Sequence, residues 1–359
     1  MNCSLNFWSI SNFRNFREDL PTYKAKIEQN DLDRIQIQEG SNLNEVLPVL
    51  KKEIYAQHRD MPLRFFLYQN FDIEWITSIT EVKKLYIEAY YNIHNLDKLE
   101  AFKNLKMLVL ECDFCTVPNL DFLTNLPEDL EVLALTTIGK SKKLDLSPIA
   151  HFKKLKFLYI NGIEKNLDKV LPQFTQLEEL RLRSVSKPKN MDCLAELKQL
   201  KNVTFQLCGF ENIDVLSNLK SVRYLQLWRL PKLTNLDFIS KMDGLQHLFI
   251  ETLNGIEKFP NVADLQKLLR VIITSCKNIT DFSEVAKSKS IKEFAIQNAT
   301  QTDLTIFKPI LQNIHIEHIG IGYEKVATQK EMFALAQQCG RERIAVYRYP
   351  DFAKFEFEE

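Results

Sequence analysis

The feature that most limits what this chain can fold into is a spacing. Between residues 144 and 182 the sequence reads Leu144-Asp-Leu-Ser-Pro-Ile-Ala, then Leu155-x-x-Leu158-x-Ile160, and one period later Leu177-x-x-Leu180-x-Leu182. The central apolar position of this arrangement recurs at Leu85, Leu108, Leu133, Leu158, Leu180, Val203, Leu225, Leu248, Val271, Phe294 and Ile314, in steps of roughly 20 to 25 residues. A unit that short has too little apolar surface to fold alone, so neighbours must stack to bury it. A 359-residue chain without a period would suggest two or three globular domains, whereas the period points to one elongated array.

Between the strands lies a second apolar group, as in Leu120-Asp121-Phe122-Leu123, Leu146-Ser147-Pro148-Ile149, Ile213-Asp214-Val215-Leu216, Leu236-Asp237-Phe238-Ile239 and Ile256 to Phe259. Short helical turns capped by Asp or Ser would place these groups on the outer side of the array. Upstream, Leu32-x-x-Ile35-x-Ile37 and Leu63-x-x-Phe66-x-Tyr68 read as the first two strands. Leu43, Val46, Leu47, Leu50 and Ile54 recur between them at helical spacing, and Pro48 requires that helix to begin near Asn44.

The periodic stretch resembles the leucine-rich repeat superfamily, and within it the short bacterial, internalin-like repeats. The resemblance covers 32–322 and rests on eleven Leu-x-x-Leu-x-Leu-type segments in register. It implies an α/β fold: a horseshoe-shaped solenoid with a parallel sheet on the concave side and short helices or turns on the convex side. The family usually carries Asn three residues after the last strand leucine. Here those positions are Asp113, Ile138, Ile163, Val185, Cys208, Leu230, Leu253, Cys276, Ala299 and Ile319, so the loop backbone must find other partners.

Residues 1–31 read as an N-terminal cap, with Phe7, Trp8, Ile10, Phe13 and Phe16 covering an exposed end. Residues 323–359 read as a C-terminal cap. Met332, Leu335, Ala336 and Cys339 form a helical stripe closed by Gly340, and Arg343 to Tyr347 would be a last strand. The alternating tail Lys354 to Phe357 would blunt the sheet edge.

Formal net charge is zero, which argues against a nucleic-acid partner even though Lys140, Lys142, Lys143, Lys153, Lys154, Lys187 and Lys189 cluster on loops. The seven cysteines are odd in number, scattered, and several fall at buried positions of the register, so they are expected reduced, in a cytoplasmic protein. No apolar run has the length of a membrane span and no secretory leader is visible in residues 1–16.

Alternation along each strand turns the sequence into a map of the concave face. Its central part carries Phe157 and Tyr159, then Glu179, Arg181 and Arg183, then Asn202, Thr204 and Gln206. Tyr224, Gln226 and Trp228 follow with Arg229 beside them, then His247, Phe249 and Glu251. With strands about 4.8 Å apart, Tyr159 to Phe249 would span roughly 20 Å, a standard interface core. Aromatic and arginine side chains carry most interface hot spots. The candidate protein-binding residues are therefore Phe157, Tyr159, Arg181, Arg183, Tyr224, Trp228, Arg229, His247 and Phe249. The expected partner is a protein or peptide presenting carboxylates near an apolar protrusion.

Other chemistry is thinly signalled. Cys112-x-x-Cys115 has half of a zinc or redox spacing with no second pair, and His315, Glu317 and His318 lack a further ligand at metal spacing. No phosphate-binding glycine loop or nucleophile elbow occurs, so neither cofactor nor enzymatic activity is expected. Within binding, an inhibitor that occludes an enzyme is the alternative to a scaffold, and a hydrolase or transferase in an unrecognised groove is the alternative from another class.

Overall fold

A computed structural model describes residues 7–112, 114, 117–136, 144–342 and 344–345. Cys115, Lys140, Lys142, Lys143, most of the expected final strand and the alternating tail lie outside these residues. The chain divides into two compact units, Met1–Phe174 and Thr175–Glu359.

The first unit holds strands β1 (Phe7–Ile10), β2 (Arg34–Gln38), β3 (Leu63–Leu67), β4 (Phe71–Asp72), β5 (Lys84–Ala89), β6 (Ile93–His94), β7 (Met107–Cys112), β8 (Val132–Thr136) and β9 (Phe157–Asn161). All but β4 and β6 join in one parallel sheet in sequence order, and those two pair with each other. The expected N-terminal cap thus supplies both the strand β1 and a helix, α1 (Phe13–Glu28), whose Phe16 is buried. Helix α2 (Leu43–Leu50) starts within a residue of the position that Pro48 demanded and runs on into a π turn at Lys51–Tyr55. The short α3 (Leu167–Val170) follows β9.

The second unit repeats the plan with β10 (Glu179–Arg183), β11 (Asn202–Gln206), β12 (Tyr224–Trp228), β13 (His247–Glu251), β14 (Arg270–Thr274), β15 (Glu293–Gln297) and β16 (His318–Ile321), again parallel and in order. Helices α4 (Ser283–Lys287), α5 (Lys308–Gln312) and α6 (Val326–Gln338) lie between or after its last strands. Helix α6 closes at Gly340, φ 81°, as the stripe predicted.

Strand alternation makes the core. Leu180, Leu182, Val203, Phe205, Leu225, Leu227, Ile250 and Val271 are fully buried on one side of the sheet, each such side chain worth about 1.5–3 kcal/mol. We call the opposite side the open face. Connections off the other strand end run through 3-10 turns such as Asp121–Asn125, Ser147–His151, Asp214–Asn218 and Asp237–Lys241. Asp caps some of these turns as expected, at Asp72, Asp145 and Asp303, and Asn caps others. The backbone N–H groups of Asp121, Ser147, Asp214 and Asp237 donate to the side chain two residues earlier, that of Asn119, Asp145, Asn212 or Asn235. Ile256 and Phe259 are buried as expected, yet no helical turn forms there.

The turn that leaves each of β10 to β15 is equally regular. Ser184, Leu207, Arg229, Thr252, Ser275 and Asn298 all have φ between 51° and 56°. Five of them donate their N–H to the next strand's last carbonyl, from Ser184 to Gln206 at 2.9 Å through Ser275 to Gln297 at 3.0 Å. The left-handed residue therefore adds one rung to the sheet before the chain turns away. At the positions where the resemblance implied Asn, Ile163, Val185, Cys208, Leu230, Leu253 and Cys276 are buried instead. Part of the missing bonding comes from sulfur: Cys208 Sγ lies 3.4 Å from the Leu182 carbonyl, and the Leu253 N–H points at Cys276 Sγ, also 3.4 Å away.

Three expectations need correction. Ile314 is not a strand position: it is 85% exposed, and Ile319 pairs with Phe294. The step from Phe294 to Ile319 equals those from Leu108 to Leu133 and from Leu133 to Leu158, whereas Ile314 would have made it the shortest of the array. In β3, Leu63 rather than Phe66 pairs with Leu85, so Phe66 and Tyr68 face the open side. Finally, Cys112 is disulfide-bonded rather than reduced, while Cys193, Cys208, Cys276 and Cys339 are free thiols.

Candidate interaction face

In the second unit the register aligns the open-face side chains in three rows. One runs Glu179, Asn202, Tyr224, His247 and Arg270; the next Arg181, Thr204, Gln226, Phe249 and Ile272; the third Arg183, Gln206, Trp228, Glu251 and Thr274. Arg183 reaches over Gln206 so that its guanidinium sits 5.4 Å from the centre of the Trp228 ring. Arg181 is fixed by its own strand, its Nε donating to Glu179 Oε1 at 2.6 Å. Tyr224 Oη donates to Gln226 Oε1 at 3.3 Å. Arg181, Arg183, Tyr224, Trp228 and Phe249 are all half-buried, the state of side chains that are preordered yet still present a surface.

His247 departs from the expected set. It is only 5% exposed, and burial together with the Arg270 charge on the next strand lowers its imidazole to about 4. It packs under its neighbours as a neutral ring and is not part of an accessible surface. Arg229 is exposed, but its φ of 51° places it on the turn beyond the strand rather than in a row. Burial raises the Glu251 carboxyl, with the Arg229 charge drawing it partway back. Toward β15 the face closes: Ile272, Thr274, Ala295 and Gln297 are all buried.

In the first unit, Phe157 and Tyr159 are half-buried on the open face of β9. The other weak candidates are ordinary in place. His315 and Glu317 precede β16 rather than forming part of it, and Glu317 pairs with Lys292 at 2.9 Å.

The parallel order and unbroken one-to-one register of short strands with leucines on one side define a repeat fold. The same fold is found among solved structures. The Toll–Spätzle complex of Drosophila matches at a TM-score of 0.56 and 13% identity, over 82% of this chain and 40% of that one. The chain has a leucine-rich repeat fold. A leucine-rich repeat protein of Leptospira interrogans is similar at 15% identity and a TM-score of 0.45, over 92% of this chain and 98% of its own. Internalin C2 of Listeria monocytogenes is similar at 17% identity and 0.43, over 52% and 78%. No family profile matches the chain, and no curated protein matches it by sequence.

The leucine-rich repeat register also brings together open-face residues of the first unit: Lys84, Tyr86, Glu88, Met107 and Glu111, which alternation along the sequence places on that face, and Ser9, Gln36, Gln38, Arg64 and Phe66, which it does not. Gln36 and Gln38 donate to Ser9 Oγ at 3.2 and 3.0 Å, and Arg64 donates to Gln36 Oε1 at 3.0 Å while pairing with Glu88. The Arg64 guanidinium lies between the rings of Phe66 and Tyr86, 5.1 and 4.8 Å from their centres. Tyr86 Oη donates to Glu111 at 2.8 Å, and burial with that carboxylate pushes the phenol well up. Beside this network lies a cavity of about 580 Å³ lined by Arg34, Arg64, Lys84, Tyr86 and Met107 among others. Phe66 and Tyr68 join this face because Leu63, three residues before Phe66, is the β3 residue that pairs with Leu85, and an odd offset turns every side chain of the strand over.

Proposed function

We propose that the chain is a non-enzymatic protein-binding module. Its second unit would hold a protein or peptide on the open face through Arg181, Arg183, Tyr224, Trp228 and Phe249, with Arg229 at the rim. Phe157 and Tyr159, on the open face of the first unit, are proposed as contact residues of that unit. The observation that carries it is the half-buried Arg183 stacked on Trp228, a preformed pair of the two residue types richest in binding hot spots. An arginine fork beside an indole face suits a carboxylate next to an apolar protrusion. Leucine-rich repeat folds generally mediate contacts between proteins. The ionisable groups near the first unit's cavity support binding over proton transfer, since Lys106 pairs with Asp129, Glu131 with Lys156 and Asp60 with Lys83.

The test replaces Arg181, Arg183 and Trp228 together by alanine and compares capture of partners from the source cells. Capture should fall by about tenfold or more, as expected when hot spots of about 1–2 kcal/mol or larger are removed. The melting temperature should stay nearly unchanged because none of the three is in the core. Undiminished capture by a folded triple variant discards this face as the site.

A further inference from the structure

The rim of the first unit carries four large rings that its core does not use. Tyr68 is 62% exposed, Tyr90 37%, Tyr91 50% and Phe114 48%. They touch one another: Tyr68 and Tyr90 are 6.3 Å apart between ring centres, Tyr90 and Tyr91 5.0 Å, Tyr90 and Phe114 4.9 Å, and Tyr91 and Phe114 6.5 Å. The backbone explains how they come together. Tyr68 follows Phe66 by two residues and Tyr90 follows Glu88 by two, so alternation carries both to the open side. The ladder continues past the strand ends, with Tyr90 N donating to the Leu67 carbonyl at 3.0 Å and Phe114 N to the Tyr90 carbonyl at 3.2 Å. Phe66 joins the row edge-on to Tyr68 at 5.0 Å. A contiguous exposed patch of this kind costs solubility and adds nothing to the core, which marks it as a contact surface.

The charges beside the rings decide what it would contact. Glu39 Oε2 accepts the backbone N–H of Tyr68 at 2.6 Å, fixing a carboxylate at the residue that carries the first ring. Glu88 and Glu111 occupy adjacent register positions in the row next to the rings. Arg64, the residue two before Phe66, is committed to Glu88 and Gln36 and to the faces of Phe66 and Tyr86. Ring faces are negative at their centres, and carboxylates alongside add to that field.

We propose that this rim binds a cationic segment of a partner protein, with lysine or arginine side chains laid over Tyr68, Tyr90 and Phe114 and facing the Glu39 and Glu111 carboxylates. This surface is distinct from the Arg183–Trp228 face of the second unit and attracts the opposite charge.

The test uses the full chain and three short synthetic peptides of equal length, one rich in arginine and lysine, one with citrulline and acetyl-lysine in their place, and one with glutamate. Titration calorimetry should show the cationic peptide binding about tenfold or more tightly than the other two, weakening as salt rises. Tyr90→Ala and Tyr68→Ser should each remove most of that preference, and Glu39→Gln should reduce it while leaving the rings in place. Trp228→Ala should leave it unchanged, which separates this proposal from the function proposed above. Equal binding of the neutral or acidic peptide, no binding of any peptide, or unaltered binding by folded Tyr90→Ala and Tyr68→Ser overturns the proposal. So does sedimentation showing self-association that Tyr90→Ala abolishes, because the rim would then be covered by a second copy.

Discussion

At the residue scale, the buried histidine makes the sharpest statement about stability. His247 titrates at about 4 in the folded chain because burial and the Arg270 charge oppose its imidazolium, against about 6.5 for an exposed imidazole. The unfolded chain therefore takes up this proton first as pH falls. The stabilisation is complete above about pH 6.5 and declines through the window down to about pH 4, by on the order of 3 kcal/mol. Urea unfolding of the wild type and of His247→Gln across that window checks it. The wild type should lose stability more steeply, the difference between the two curves should flatten below about pH 4, and parallel curves would contradict the account. The same residue shows where sequence reading stops. Alternation correctly put His247 on the open side of its strand, but its burial depends on neighbours supplied by other repeats. Arg183 and Trp228 were legible because only alternation is needed to bring them to one face.

At the scale of one element, the repeated turn after each of β10 to β15 is informative because it is built from residues other than glycine. The left-handed backbone favours glycine, and Gly162, φ 77°, occupies the corresponding place after β9. Thr252, φ 53°, is β-branched and is therefore the most strained of the set. Its N–H still donates to the Thr274 carbonyl at 2.9 Å, a bond that glycine would keep. Thr252→Gly should raise the unfolding free energy by about 0.5–1 kcal/mol, since relief of left-handed strain outweighs the entropy of the glycine. A chemical denaturation series would show it as a higher midpoint at unchanged slope, and a lower midpoint would mean that the threonine side chain makes a compensating contact. The turns also mark the limit of legibility for elements. The strands were readable because leucines on one side recur with the period of the fold. In some 3-10 turns the cap is Asn rather than the Asp or Ser that the sequence suggests: Asn119 and Asn212 do the bonding ahead of Asp121 and Asp214. In β3, phenylalanines stand at both Phe65 and Phe66, and hydrophobicity alone could not choose which of them faced the core.

At the scale of the whole molecule, the one-to-one register predicts that repeats are interchangeable parts. Asn202 pairs with Glu179 on one side and with Tyr224 on the other, so Tyr224 occupies in the next repeat the place that Asn202 occupies in its own. Deleting 202–223 would join Lys201 to Tyr224 and set Tyr224 against Glu179, Leu225 against Leu180 and Trp228 against Arg183. Every core side chain would still meet an apolar neighbour, and the bonds from Asn202 and Tyr224 to the carbonyls of Glu178 and Lys201 show that both repeats enter their strands in the same way. In a stacked array, stability is the sum of repeats and their interfaces, so removing one whole period should give a cooperatively folded, less stable chain. Deleting only 202–212 would instead place the Ile213 turn where a strand should begin, leaving Leu180 and Leu182 without their neighbours Val203 and Phe205. Far-UV circular dichroism with thermal melts distinguishes the two. The full-period deletion should keep a single sharp transition at lower temperature, and the half-period deletion should lose it. If both melted alike, the repeats would not be the units from which this fold takes its stability.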